Sequence, residues 1–405
     1  MKPVYLDNNA TTRVDPDVVQ AMLPYFTDQF GNPSSTHAFG SSVGAAIKKA
    51  RRQLQALIGA QFDDEITFTS GGTESDNAAI LSALEVTPDR TEIVTSAVEH
   101  PAVLTLCAHL EQTRRVKVHT VPVDRRGRLD LDAYKAALSP RVAIVSVMWA
   151  NNETGTIFPV AELAELAKET GALFHTDAVQ AVGKLPMDLK STAIDMLSLS
   201  GHKLHGPKGI GALWIKRGVH FRSLIKGGNQ QHGRRAGTEN TPGIIGLGMA
   251  AELALKFMDD ATTRVKSLRD RLEDEILQRI PSSYVTGDLM ERLPNTANIT
   301  FEHAASDGIP HLLSRVGIAC SSGSACTSGS MEPSHVLSAM QIPHAAVRFS
   351  FARDNGEEDV ERVLEVMPAI VEKLRDSPGS GSRGRSPEDV RSCMYLTGSR
   401  TGCHS

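Results

Sequence analysis

The chain has 405 residues, 40% of them hydrophobic and 22% charged, which excludes a disordered polymer and leaves room for more than one core. Its formal charge of −4 comes without any basic block, so the electrostatic footprint of a nucleic-acid binder is missing. No stretch of about 18 apolar residues calls for a membrane span, and "MKPVYLDNNATT" has no apolar segment of signal-peptide length; the expected compartment is the cytoplasm, with neither membrane nor nucleic acid as partner.

In chain order, Val43, Ile47, Ala50, Leu54 and Leu57 fall on one helical stripe. Short β-rich runs follow at 65–70, 92–96, 116–121, 142–148, 172–177, 195–200 and 211–215, alternating with helical patterns. That rhythm predicts an α/β fold with a mostly parallel seven-stranded sheet and helices on both faces. After about residue 255 the pattern changes. A helix with Val265, Leu268, Leu272 and Ile276 on one face, strands in "NTANITF" and "AVRFSF", and a closing helix through Val360, Val363, Leu364, Met367, Val371 and Leu374 predict a smaller α+β domain. From Ser377 the chain is rich in Gly, Ser and Arg without apolar period, and residues 377–405 are expected to form a disordered tail. The cysteines Cys107, Cys320, Cys326, Cys393 and Cys403 make no even framework and are expected to be free thiols.

In open α/β sheets ligands gather at the carboxyl ends of strands. Four polar features share that rim. "GGTESDNAAI" sets glycines and Thr73 at the start of a helix, which reads either as a phosphate loop or as a plain helix cap. His100, in "VEHPAV", reads either as a stacking or proton-shuttling imidazole or as a hydrogen-bonded loop residue. Asp177, in "FHTDAVQAVG", with Gln180 three residues on, reads either as the partner of a pyridine nitrogen or as a cap. Lys203, in "SLSGHKLHGPKG", offers an amine to an aldehyde, and Lys208 in its turn is the rival set further from the strand. Together the four fit pyridoxal phosphate, whose aldehyde needs an amine and whose ring nitrogen needs an acid.

The segments "YLDNNATT", "FGNPSSTHAFG", "TSGGTESDNAAI", "VEHPAV", "MWANNETGTIFPV", "FHTDAVQAVGK", "SLSGHKLHGPKGIGALW", "GRRAGTEN" and "SSGSACTSGSMEPSHVL" run in order from about residue 3 to 375. They resemble those of pyridoxal-phosphate-dependent cysteine desulfurases in the class V aminotransferase family, most of all the nitrogen-fixation (NifS) type. The resemblance implies a fold-type I transferase with a large cofactor-binding domain at 15–255, a small domain at 256–376 carrying a catalytic cysteine loop, and a segment 1–14 that joins the small domain. It assigns Lys203 to the Schiff base, Gly72, Thr73, Ser200 and His202 to the phosphate, Asp177 and Gln180 to the ring nitrogen and hydroxyl, and Asn152 to cofactor and substrate. His100 would stack on the ring and Arg348 would grip the substrate carboxylate. Thr238 would reach the phosphate of a neighbouring subunit, which implies a homodimer.

Cys326, in "SGSACTS", matches the cysteine that attacks the sulfur of L-cysteine and leaves as a persulfide, with L-alanine as product. By itself, a cysteine in a Ser/Gly loop reads first as an incidental surface thiol, and Arg348 reads equally as a strand-edge surface residue. An iron–sulfur scaffold protein serving nitrogenase is the implied sulfur acceptor. No resident metal is implied, although Cys326 is a candidate to ligate a transferred cluster. An aminotransferase or selenocysteine lyase would keep the cofactor without needing the mobile thiol. A metal-binding scaffold through Cys320 and Cys326 is disfavoured by their spacing.

Overall fold

The computed structural model describes residues 2–304, 308–322, 334–344 and 346–376. Cys326, Cys393, Cys403 and the expected tail at 377–405 lie outside the described residues. After a short strand β1 (Val4–Tyr5), the strands β2 (Ile66–Thr69), β3 (Glu92–Ser96), β4 (Lys117–Val121), β5 (Val142–Ser146), β6 (Leu173–Asp177), β7 (Met196–Ser200) and β8 (Gly211–Ile215) follow in sequence. Strands β2 to β8 form a seven-stranded sheet in the order β2-β8-β7-β6-β5-β3-β4. Only β8 runs antiparallel to its neighbours. The expected α/β architecture, mostly parallel with seven strands, is therefore present. β2, β3, β5, β6 and β7 all end on one rim.

Every residue of β3, β5, β7 and β8 is buried, as befits strands covered by helices on both faces. One cover is the helix Ala38–Ile58, whose Val43, Ile47, Ala50, Leu54 and Leu57 are all buried. It packs closely against the helix Thr241–Lys256, where a Cβ on Gly248 would meet Ala50 at 2.6 Å.

A separate cluster of apolar residues gathers Val265, Leu268, Leu272 and Ile276 of the helix region ending at Arg279 with Val360, Val363, Leu364, Met367 and Val371 of the closing helix Glu357–Arg375. These helices back an antiparallel sheet of β9 (Ser283–Val285), β10 (Thr296–Phe301), β12 (Ser321–Ser322) and β13 (Ala346–Ser350) in the order β12-β13-β10-β9. The amino-terminal segment belongs to this cluster through Val4 and Leu6. β1 pairs in parallel with β11 (Ile318–Ala319), and Ser350 N–H donates to Leu6 O at 2.7 Å.

Among the described residues, no helix is long and apolar enough to cross a membrane. The described thiols Cys107 and Cys320 are free. Cys320 packs against the smaller core, and burial pushes its thiol up to about 12.

Candidate active site

Each strand end contributes one piece of a cavity of about 250 Å3 at the rim of the large sheet. Gly72, Thr73, His100, Asn152, Asp177, Gln180, Ser200, His202 and Lys203, scattered over more than a hundred positions of sequence, all line it. Parallel strands ending side by side bring together loops that are far apart in the chain.

After β2, Gly71 is the N-cap of the helix Gly72–Val86, and no side chain caps that end. Thr73 lies inside the first turn and is exposed, so the plain cap reading fails for it. The uncapped N–H groups and the helix dipole make this end suited to a phosphate. Gly72 approaches the turn after β6 so closely that a Cβ there would meet Val179 Cγ2 at 2.8 Å. Glu74, also in the first turn, accepts from Ser70 N–H at 2.8 Å and pairs with Arg235 at 3.0 Å.

After β3, His100 caps the helix Pro101–Arg114, its Nδ1 accepting from Ala102 N–H at 3.1 Å. That bond fixes the ring and leaves Nδ1 unprotonated. Burial lowers the imidazole's basicity, while Asp177 opposes the shift. At the end of β6, Asp177 is 7% exposed. It accepts from Val179 N–H at 2.9 Å in a tight turn and caps no helix. Burial raises its pKa, opposed by that hydrogen bond and by the charges of His100 and Lys203.

Lys203 closes a short turn, Gly201–Lys203, directly after β7. The loop folds back on itself through Gly201 N–H to Ile210 O at 2.9 Å and Gly206 N–H to Gly201 O at 3.0 Å. His205 takes a left-handed backbone (φ 58°), held by its own N–H to Thr12 Oγ1 at 2.8 Å. This loop delivers the amine inward. Nζ of Lys203 donates to Ala10 O at 2.7 Å and to Asn9 O. His202 sits against Thr11 Oγ1 at 3.2 Å, and burial with the neighbouring lysines pushes it down to about 4, so it is a neutral donor or acceptor at pH 7. Lys208 is exposed, outside the cavity that holds Lys203.

Gln180 is oriented by Lys184, whose Nζ donates to its Oε1 at 2.8 Å, and by its own Nε2 donating to Asn9 O at 3.0 Å. Arg348 is not a strand-edge surface residue. It lies on β13 between β12 and β10 and is 2% exposed. Nη1 donates to Asn152 O at 2.9 Å and Nη2 pairs with Asp7 at 2.8 Å. Thus the guanidinium touches the backbone of a cavity-lining residue without lining the cavity itself. Thr238 is exposed and does not line the cavity either.

The described residues flanking segment 323–333 are anchored beside the site. Ser321 pairs in register with Arg348, Ser334 Oγ donates to Glu153 at 2.6 Å, and His335 Nε2 meets Glu99 O at 2.9 Å.

The family model for aminotransferase class-V matches residues 4–363. The chain is 69% identical over 381 residues to a cysteine desulfurase of Sinorhizobium fredii, covering 93% of this chain and 98% of that protein. It belongs to the cysteine desulfurases of this family. With cysteine desulfurase NifS of Azotobacter vinelandii it shares 60% identity over 380 residues, covering 93% and 94% of the two chains. Among solved structures, a NifS-like protein superposes with a TM-score of 0.85 at 36% identity, over 92% of this chain and all of the other. The fold is thus that of the fold-type I pyridoxal-phosphate enzymes.

Membership in the desulfurases implies pyridoxal phosphate, and the residues present fit it. A buried carboxylate shares the cavity with a primary amine, and an uncapped helix end opens on the same rim. Sequence reasoning missed several residues of this site. Asn9 bonds through its Nδ2 to Asn152 O at 3.1 Å and to Thr296 Oγ1 at 2.9 Å, tying the amino terminus to both sheets. Asp76 also lines the cavity. Glu99, fully buried, accepts from Ser96 Oγ at 2.6 Å and Met148 N–H at 2.9 Å, and burial pushes it up to about 8. A signal for Asp76 was present, since it falls on the same helical stripe as the buried Ala79, Ile80 and Ala83.

Proposed function

We propose that this desulfurase converts L-cysteine to L-alanine with pyridoxal phosphate and passes the sulfur to Cys326 as a persulfide. The observation that carries the reading is the meeting of Lys203, Asp177 and the uncapped helix start in one cavity, at the positions the resemblance assigns to them. Gly72, Thr73, Ser200 and His202 would hold the phosphate, Asp177 the ring nitrogen, Gln180 the ring hydroxyl, Asn152 and His100 the ring, and Lys203 the aldehyde carbon. Bound there, the cofactor supplies an electron-withdrawing ring that weakens the bonds to the substrate's α-carbon.

The chain's own residues do the rest. Arg348, held by Asn152 and Asp7 just behind the cavity wall, would turn its remaining N–H groups to the substrate carboxylate, a planar fork for a planar anion. Lys203 Nζ takes the α-proton and later returns one to the product. The Cys326 thiolate attacks the substrate sulfur; an S–S bond forms, the carbon–sulfur bond breaks, and the carbon keeps the electron pair. His100, whose Nε2 is left clear of the Ala102 bond, would move a proton at the thiol or ring.

The functional unit in this reading is a cytoplasmic homodimer divided at 15–255 and 256–376, with 1–14 joining the second domain. Two observations support it. Thr238 has no place in its own chain's cavity, and Phe26, Phe30 and Phe39 are 62%, 70% and 60% exposed, two of their rings only 6.0 Å apart. An iron–sulfur scaffold for nitrogenase is proposed as acceptor from the 60% identity to NifS.

The test is to incubate the pyridoxal-phosphate-loaded protein with cysteine and a reductant. Alanine and sulfide should appear in equal amounts; a keto acid in place of alanine would mean transamination and defeat the reading. Cys326→Ala should keep the yellow cofactor and stall sulfur release.

A further inference from the structure

Beside Asp177 the cavity wall holds a second carboxyl group that the proposed reaction leaves unused. Asp76, in the second turn of the helix Gly72–Val86, is 1% exposed and lines the same cavity. Its Oδ1 has no hydrogen-bond partner among the described residues. The nearest candidate cation, His175 on β6, is 3.6 Å away. That imidazole is clamped between Ser146 Oγ and Ser198 Oγ, each at 2.9 Å, and burial pushes it down to about 3. It is therefore neutral at pH 7 and supplies no countercharge.

The other groups that bear on Asp76 are Asp177 at the end of β6, Glu99 after β3 and the Ser198 hydroxyl on β7; two of the three are acids. Asp177, by contrast, has Lys203 and His100 beside it. Two carboxylates in one low-dielectric wall do not both ionise cheaply, and the charge settles on the member with the cations.

We propose that Asp76 is a positioning residue that carries the proton of an Asp76–Asp177 carboxyl pair, which leaves the negative charge on Asp177. This rests on the reading of Asp177 as partner of a ring nitrogen. Burial first, then Asp177, raises the Asp76 carboxyl well above the usual range. At alkaline pH the pair gains a second negative charge, which tightens the hold on any proton at the ring.

The full chain, labelled with carboxyl-13C aspartate, is followed by infrared spectroscopy with and without pyridoxal phosphate. Labelling aspartate alone keeps Glu99 out of the signal. A protonated aspartate carboxyl is expected at pH 7 in both states and is lost in Asp76→Asn. The loaded wild type should also show an alkaline transition in its visible spectrum that Asp76→Asn lacks. No protonated aspartate at pH 7, or a signal that survives Asp76→Asn, overturns the proposal. If that variant does not fold, Ser198→Ala decides, because losing the hydroxyl that stabilises the carboxylate must move the signal's titration to higher pH, and an unmoved titration overturns the proposal. Failure to take up pyridoxal phosphate would count against the proposed function and leave the labelled-carboxyl measurement standing.

Discussion

Arg348 shows how burial converts a common residue into a specific one. A guanidinium removed from water must have its donors satisfied, and among the described residues two of its five N–H groups are spent, on Asn152 and Asp7. Nε has no partner among the described residues. In the proposed function a substrate carboxylate would answer that deficit. Arg348→Lys keeps the charge and loses the fork, so KM for cysteine should rise by about tenfold or more, from the loss of a charge-assisted hydrogen bond of roughly 1.5–3 kcal/mol. Bound-cofactor absorbance should not change. Steady-state kinetics beside the visible spectrum check this, and an unaltered KM removes Arg348 from the substrate site. Such residues were legible only as members of motifs. "AVRFSF" reveals an arginine on a strand, whereas its burial depends on β12, β10 and Asp7 arriving from elsewhere in the chain. Asn9 was hidden for the same reason, since its partners Asn152, Gln180, Asn295 and Thr296 are all distant in sequence.

At the level of elements, the start of the helix Gly72–Val86 does the most for the site. Its first turn, which no side chain caps, lines the cavity through Gly72 and Thr73, and Gly72 lets it close on Val179. Gly72→Ala should push the helix end away at a cost of roughly 1–3 kcal/mol of overpacking. Equilibrium binding of pyridoxal phosphate should weaken on the order of tenfold, with far-ultraviolet circular dichroism unchanged. Undiminished affinity would show that the helix end does not hold the phosphate. The seven strands of the large sheet were readable to within a residue or two because each is a short run rich in apolar or β-branched residues bounded by turns, and β3, β5, β7 and β8 are buried throughout. β1, β11 and β12 were not. Each has two residues, and only the partner strand makes it one.

Across the whole molecule, several ionisable groups are buried beneath the site, and they make stability depend on pH in opposite senses. Glu99 titrates at its ordinary value of 4.5 when unfolded and at about 8 when folded. The folded chain therefore holds the extra proton between these values. Its contribution is complete below about pH 4.5 and is lost as pH rises through 8, at no more than about 1.4 kcal/mol per pH unit. His175, pushed down to about 3, acts the other way and costs stability as pH falls from 6.5. Glu99→Gln cannot ionise, so its melting temperature should gain on the wild type as pH is raised from 5 to 8. Parallel melting curves across that range would mean that Glu99 is ionised throughout.

The proposed chemistry turns on which amine meets the cofactor. Lys203 and Lys184 both reach toward Asn9, and Lys208 lies only a few positions further along the loop. Borohydride reduction of the pyridoxal-phosphate-loaded protein, followed by peptide mass mapping, fixes the cofactor to the amine it occupies. The mass of the reduced cofactor should fall on Lys203 alone; finding it on Lys184 or Lys208, or on no lysine, would contradict the account.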